Sequence, residues 1–151
     1  MHSLRQRLNV RDESAFTLIE LLVVLIIIGV LLAIAIPSYL GFQKKAQQTA
    51  AASDVRSAIP DVEVYYSDQG ESYNGNPALS ATYLQTKYDS GLVLSAGTPG
   101  SPAGIVTADN NNDATGNTYC ISGYDGGYWA HVVGPGGQVI QDGQAAKDPC
   151  P

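Results

Sequence analysis

Hydrophobic positions fall into two regimes along this chain. From Leu21 to Gln43 no residue is charged, and aliphatic side chains occupy every side of a helix drawn through them. A helix that is apolar all round must be buried in protein or in a bilayer. At about 1.5 Å per residue the stretch is long enough to cross a hydrocarbon core. Beyond it the pattern becomes one-sided. Val55, Ile59, Val62 and Tyr66 recur at spacings of four, three and four, one face of an α-helix. Ala46, Ala50, Ala51 and Ala52 add helix propensity at the junction. Gly70 offers a stop, and Asn74-Gly75 and Pro77 follow as breakers. The two regimes together predict one helix from about Phe16 to about Gln69, about 80 Å long if continuous. Pro37 and Pro60 each remove an intrahelical hydrogen bond; the apolar face stays in phase across Pro60, so a kink is expected there rather than a break.

From Tyr73 to Asp113 the chain is rich in Gly, Ser, Thr, Asn and Pro. A short helix is expected at Tyr83 to Tyr88, a short strand at Leu92–Leu94, and loop from Ser95 to Gly104. Thr118–Gly123 and Tyr128–Val133 are strand-like runs of aromatic and β-branched residues, joined across Asp125-Gly126-Gly127. Pro135-Gly136-Gly137 turns the chain into Gln138–Gln141. These runs predict a three-stranded antiparallel meander. Packed on the amphipathic half of the helix it would bury Val55, Ile59 and Val62, giving an α+β fold with a small antiparallel β-meander head.

Charge changes this picture in two places. After residue 52 only Arg56, Lys87 and Lys147 are basic, against eleven acids from Asp54 to Asp148. Such a domain lacks the electrostatic footprint of a nucleic-acid binder, and direct nucleic-acid binding is not expected. The second place is Glu20, one acid inside the aliphatic run. A carboxylate in hydrocarbon costs at least about 2.5 kcal/mol unless it finds a partner.

Residues 15–37 carry a resemblance that supplies one. Ala15, Phe16, Thr17, Leu18, Ile19 and Glu20, followed by Gly29 and Pro37, resemble the N-terminus of type IV pilins and of the related pseudopilins of type II secretion. The resemblance implies removal of a leader, residues 1–15, by a prepilin peptidase between Ala15 and Phe16. Where the family has Gly before the cut, this chain has Ala15, the nearest small substitute. It further implies N-methylation of the new Phe16 amine. Glu20 would then guide assembly by pairing with that amine on a neighbouring copy. Gly29 and Pro37 fall where pilins loosen the helix. Three segments follow: leader 1–15, membrane-spanning or filament-core helix 16–52, and exported head 53–151 including the amphipathic half-helix. The expected life history is a single-pass protein of the cytoplasmic membrane, then self-assembly into a helical filament at the cell surface. A prepilin peptidase, an assembly ATPase and a platform protein are the partners so implied. The expected role is that of a pilus subunit supporting adhesion, motility or DNA uptake. A type II secretion pseudopilin and a membrane-anchored binding module that never polymerises are the alternatives.

The remaining chemistry is sparse. Cys120 and Cys150 show no zinc spacing; in an exported head of this size they are expected to form a disulfide, as pilins commonly have near the C-terminus. Asp109, Asn111 and Asp113 put oxygen ligands at alternating positions, as some calcium loops do. The sixth position is Ala114 rather than Gly and the twelfth is Cys120 rather than Glu, so this is no EF-hand, and a solvated turn is expected. His131 has no nucleophile motif beside it. With no phosphate-cradling loop and no recognisable acid–base pair, neither catalysis nor a cofactor or metal is expected.

Overall fold

A computed structural model describes residues 16–144 and 147–150. Its elements are α1 (Leu18–Asp68), α2 (Ala81–Lys87), β1 (Gly104–Asp109), β2 (Tyr119–Asp125), β3 (Tyr128–Gly134) and β4 (Ile140–Gly143). The chain divides into two units between Leu40 and Gly41. The boundary expected at 52–53 lies within the helical part of the second unit, because Ala51 and Ala52 are already fully buried in the head core.

In the first unit every residue from Phe16 to Leu40 is exposed. Among the described residues α1 is the one helix long and apolar enough to cross a membrane. It runs as α-helix through Gly29, Pro37 and Pro60 without interruption. Its C-terminal end is set by Gly70, whose φ of +71° lets the Glu71 N–H bond back to the Tyr66 carbonyl at 2.9 Å.

In the second unit Ala51, Ala52, Val55, Ala58, Val62 and Tyr65 form the buried stripe of α1. These residues share one core with Ile105, Tyr119, Ile121, Ala130 and Val132 of the sheet and with Leu84 of α2. Ile59 and Tyr66 pack at its margin. Gly123 marks the closest approach. A Cβ there would stand 2.9 Å from both the Ala51 carbonyl oxygen and Val55 Cγ2, so only Gly lets the sheet lie this near the helix. The Tyr65 hydroxyl donates to the Pro77 carbonyl at 2.8 Å, which ties the following loop down without leaving a buried donor unpaired.

The sheet is antiparallel throughout, in the order β1-β2-β3-β4. The expected three-stranded meander is therefore short by one strand. β1 is missed because a register shift between Ile105 and Thr107 breaks the alternation on which strand recognition depends. The strand expected at Leu92–Leu94 is reduced to a single parallel bridge from Leu94 to Ile105. Two other boundaries move. Ser80 caps α2, accepting from Tyr83 N–H, so the helix starts at Ala81 rather than Tyr83. The last strand runs Ile140–Gly143 instead of Gln138–Gln141. β4 is a sheet edge, four residues long, with a register shift opposite Trp129 and Ala130 that leaves Asp142 as the bulged residue.

β2 is buried on both faces. Its outward residues Cys120, Ser122 and Tyr124 are covered in part by the Cys120–Cys150 disulfide and by the edge-on Tyr124–Trp129 pair, whose ring centroids are 5.0 Å apart. The disulfide joins positions 30 residues apart and fastens the C-terminal segment to an inner strand. In the chain-entropy account, closing such a loop stabilises the fold by about 3–4 kcal/mol. Replacing both cysteines by serine should lower unfolding stability by that amount in urea titrations; a midpoint matching the wild type would show that the segment is held without the bridge.

Candidate functional site

Glu20 lies in the first turn of α1, and the residues around it form a capping box. Thr17 is the N-cap. Its hydroxyl accepts from the Glu20 N–H at 3.3 Å and donates to Glu20 Oε2 at 2.8 Å. Its backbone N–H donates to the same oxygen at 2.9 Å. Both bonds fall on Oε2, and among the described residues no donor reaches Oε1. The acid thus has an intrachain partner that sequence reasoning overlooked. The signal was present as Thr-x-x-Glu directly ahead of an apolar run. Phe16 is 81% exposed and adjoins the box, while Ala15, on the other side of the expected cut, lies outside the described residues. Gly29 and Pro37 sit in unbroken helix, and a Cβ at Gly29 would meet open space, so no packing within the chain requires that Gly.

The Asp109–Asp113 loop is organised by its own hydrogen bonds. Asp113 Oδ1 accepts from the Thr115 N–H and hydroxyl at 2.8 and 2.6 Å. Its Oδ2 accepts from the N–H groups of Asn117 and Thr118 at 2.9 and 3.0 Å. These donors hold the Asp113 carboxyl at about 2, below the usual carboxylate range. Asp109 Oδ1 accepts from Asn111 N–H at 2.8 Å, and burial raises its pKa despite that bond. Asn111 and Asn112 adopt left-handed conformations, which Asn tolerates in turns. Asn74 locks the loop from outside, donating to the carbonyls of Asp113 and Ala114 at 3.0 and 2.9 Å. Of the three candidate ligands Asp109 and Asp113 serve here as turn-forming acceptors and Asn111 as a backbone donor, and among the described residues no group of three or more His, Cys, Asp or Glu side chains has metal-binding geometry.

Two further arrangements carried no sequence signal. His131 Nδ1 meets Asp142 Oδ2 at 2.7 Å, so the half-buried histidine ties β3 to the bulge of β4. Glu63 accepts from the Tyr73 hydroxyl at 3.2 Å, and burial together with that carboxylate pushes the Tyr119 phenol up to about 12. Both depend on long-range register, which spacing along the chain cannot reveal.

The prokaryotic N-terminal methylation motif matches residues 10–36, the segment containing Phe16 and Glu20. The chain is similar to the type IV wide pilus major component of Thermus thermophilus, 33% identical over 118 residues and covering 78% of each chain. A fimbrial protein of Pseudomonas aeruginosa is 35% identical over 105 residues, 70% of this chain and 65% of that relative. The type II secretion system core protein G of Aeromonas hydrophila is 36% identical over 71 residues, 47% of this chain and 50% of that relative. No solved structure matches the chain. The chain belongs to the type IV pilin family.

Two acids of the head, Asp54 and Asp61, each have a buried carboxylate oxygen without a donor among the described residues, and burial raises the pKa of both. For Asp54, burial first and the nearby Asp125 carboxylate second raise the pKa. A carboxyl whose folded pKa exceeds its unfolded value contributes stability that is complete below the unfolded pKa and lost as pH rises through the folded one. Asp54→Asn should therefore raise the melting temperature at neutral pH by roughly a few degrees, and the gain should vanish as pH falls towards about 4. Asp113 has the opposite sign: its stabilisation is present above the unfolded pKa and lost as pH falls through about 2. Asp113→Asn should lower the melting temperature at neutral pH, and the difference should narrow below about pH 4. Melts of both variants across pH check the pair; parallel curves would contradict the assignments.

Proposed function

We propose that this chain is the structural subunit of a type IV pilus, made as a prepilin and cut between Ala15 and Phe16. The observation that carries the proposal is the first unit: from Phe16 to Leu40 every side chain is exposed, all but a few are apolar, and one is a carboxylate. Such a surface is stable in a bilayer or against copies of itself, and not in water. Before assembly α1 spans the cytoplasmic membrane once. In the filament the same surface is covered by neighbouring copies at the cell surface.

Glu20 gives the packing its register. Thr17 occupies one carboxylate oxygen, and Oε1 is left to accept from the Phe16 amine of a neighbour, which exists only after the leader is removed. Gly29 and Pro37 are the points where α1 loosens on assembly; a Cβ at Gly29 would meet open space and Pro37 is exposed. Cleavage and N-methylation at Phe16, extrusion by an assembly ATPase and a platform protein, and use in adhesion, motility or DNA uptake belong to the same proposal, and family membership supports them. The chain itself is assigned no catalysis, and its acidic head no direct contact with nucleic acid. The similarity to the Aeromonas secretion protein favours a pseudopilus subunit as the second reading.

Surface material sheared from cells should contain filaments whose subunit begins at N-methylated Phe16 by mass spectrometry. Glu20→Ala should leave membrane insertion unchanged and reduce filament yield at least tenfold. Normal filaments from that variant would remove the role given to Glu20. Absence of the chain from any polymer would favour a monotopic binding module instead.

A further inference from the structure

Two lysines follow the uncharged run directly. From Leu21 to Gln43 there are 23 residues without charge, and Lys44 and Lys45 come next. At about 1.5 Å per residue that run matches a hydrocarbon core of about 30 Å, which brings both lysines to headgroup depth. Both are exposed, and Phe42 beside them is 76% exposed, an aromatic ring where membrane helices place their interfacial anchors.

Nothing on the helix neutralises them. The positions three and four residues away on either side are Leu40, Gly41, Phe42, Gln47, Gln48 and Thr49, none charged. Among the described residues the one ion pair is His131–Asp142, so neither lysine has an acidic partner. The nearest acids along the chain are Glu20 and Asp54. This paired positive charge contrasts with the strongly acidic sequence that follows, which an anionic surface would repel.

We propose that Lys44 and Lys45 bind the phosphates of anionic phospholipid headgroups at the head-side boundary of the span. The lysines add attraction that acts within a Debye length of the surface. An acidic surface on a second copy could offset the same charges, but headgroup depth and an exposed neighbouring aromatic favour lipid. The inference rests on the membrane-spanning part of the functional proposal and not on filament formation.

The test uses the full chain reconstituted in phosphatidylcholine vesicles holding spin-labelled phosphatidylglycerol or phosphatidylcholine, with electron spin resonance reporting the motionally restricted lipid. Wild type should prefer the anionic lipid by about fivefold, the effect of a single unit of about 1 kcal/mol. The preference should fall as salt rises from about 0.05 to 0.5 M. Lys44→Gln with Lys45→Gln should remove most of it, whereas Lys44→Arg with Lys45→Arg should retain it. Equal lipid selectivity in wild type and the glutamine variant would overturn the proposal. So would amine labelling in which Lys44 and Lys45 become protected with rising protein-to-lipid ratio rather than with rising phosphatidylglycerol. Flotation of the vesicles separates the two levels: chain that fails to float with them contradicts the span itself, and chain that floats without lysine-dependent selectivity contradicts this inference alone.

Discussion

An apolar helical surface that none of the described residues covers is the constraint on which the other features depend. The described residues from Phe16 to Leu40 bury none of their side chains within the protein. The same length of aliphatic helix would dominate the core of a globular domain. Here the core is built without it, from Ala51 through Tyr65 and a small sheet. The head is therefore free to fold on its own contacts, while the preceding segment is matched to lipid or to its own kind. Conserving this division requires that the two parts of α1 obey different rules, one apolar all round and one amphipathic. The sequence changes rule near Gln43, where charge reappears.

A carboxylate within that apolar surface needs stabilisation at every stage, not only in the assembled state. The capping box provides it early: Thr17 satisfies Glu20 Oε2 while Glu20 in turn bonds the Thr17 N–H, one of the donors a helix start leaves unpaired. The acid is consequently a helix-capping group in the single chain, whatever intermolecular role is proposed for it. Its second oxygen is where the two roles can coexist, because a carboxylate accepts on both oxygens. The pairing proposed with a neighbour's amine would add to the local bonds instead of replacing them.

Periodicity made much of the architecture legible, and its limits are equally physical. The helix was readable almost to the residue, since Val55, Ile59 and Val62 repeat with its pitch and Gly70 ends it with a left-handed turn. β2 and β3 were visible in their aromatic and β-branched runs around Gly126-Gly127. β1 was not, because its bulge destroys the alternation that would have announced it. Among the site residues, Phe16 and Glu20 stood out through motif order, and Thr17 could have been found from its spacing to Glu20. The His131–Asp142 pair and the self-bonded Asp113 turn were beyond reach, as each depends on which strands or loops come together in space.

The short bulged edge at β4 has a consequence for crowding. An open strand edge offers unpaired backbone groups to any similar edge brought alongside, and subunits of a polymer are held at local concentrations that favour such encounters. β4 offers four residues, kinked by Asp142, whose carboxylate is held by His131. A second sheet could not continue this one in register past the bulge. Heads brought side by side would therefore find at β4 an edge that does not template pairing between their sheets.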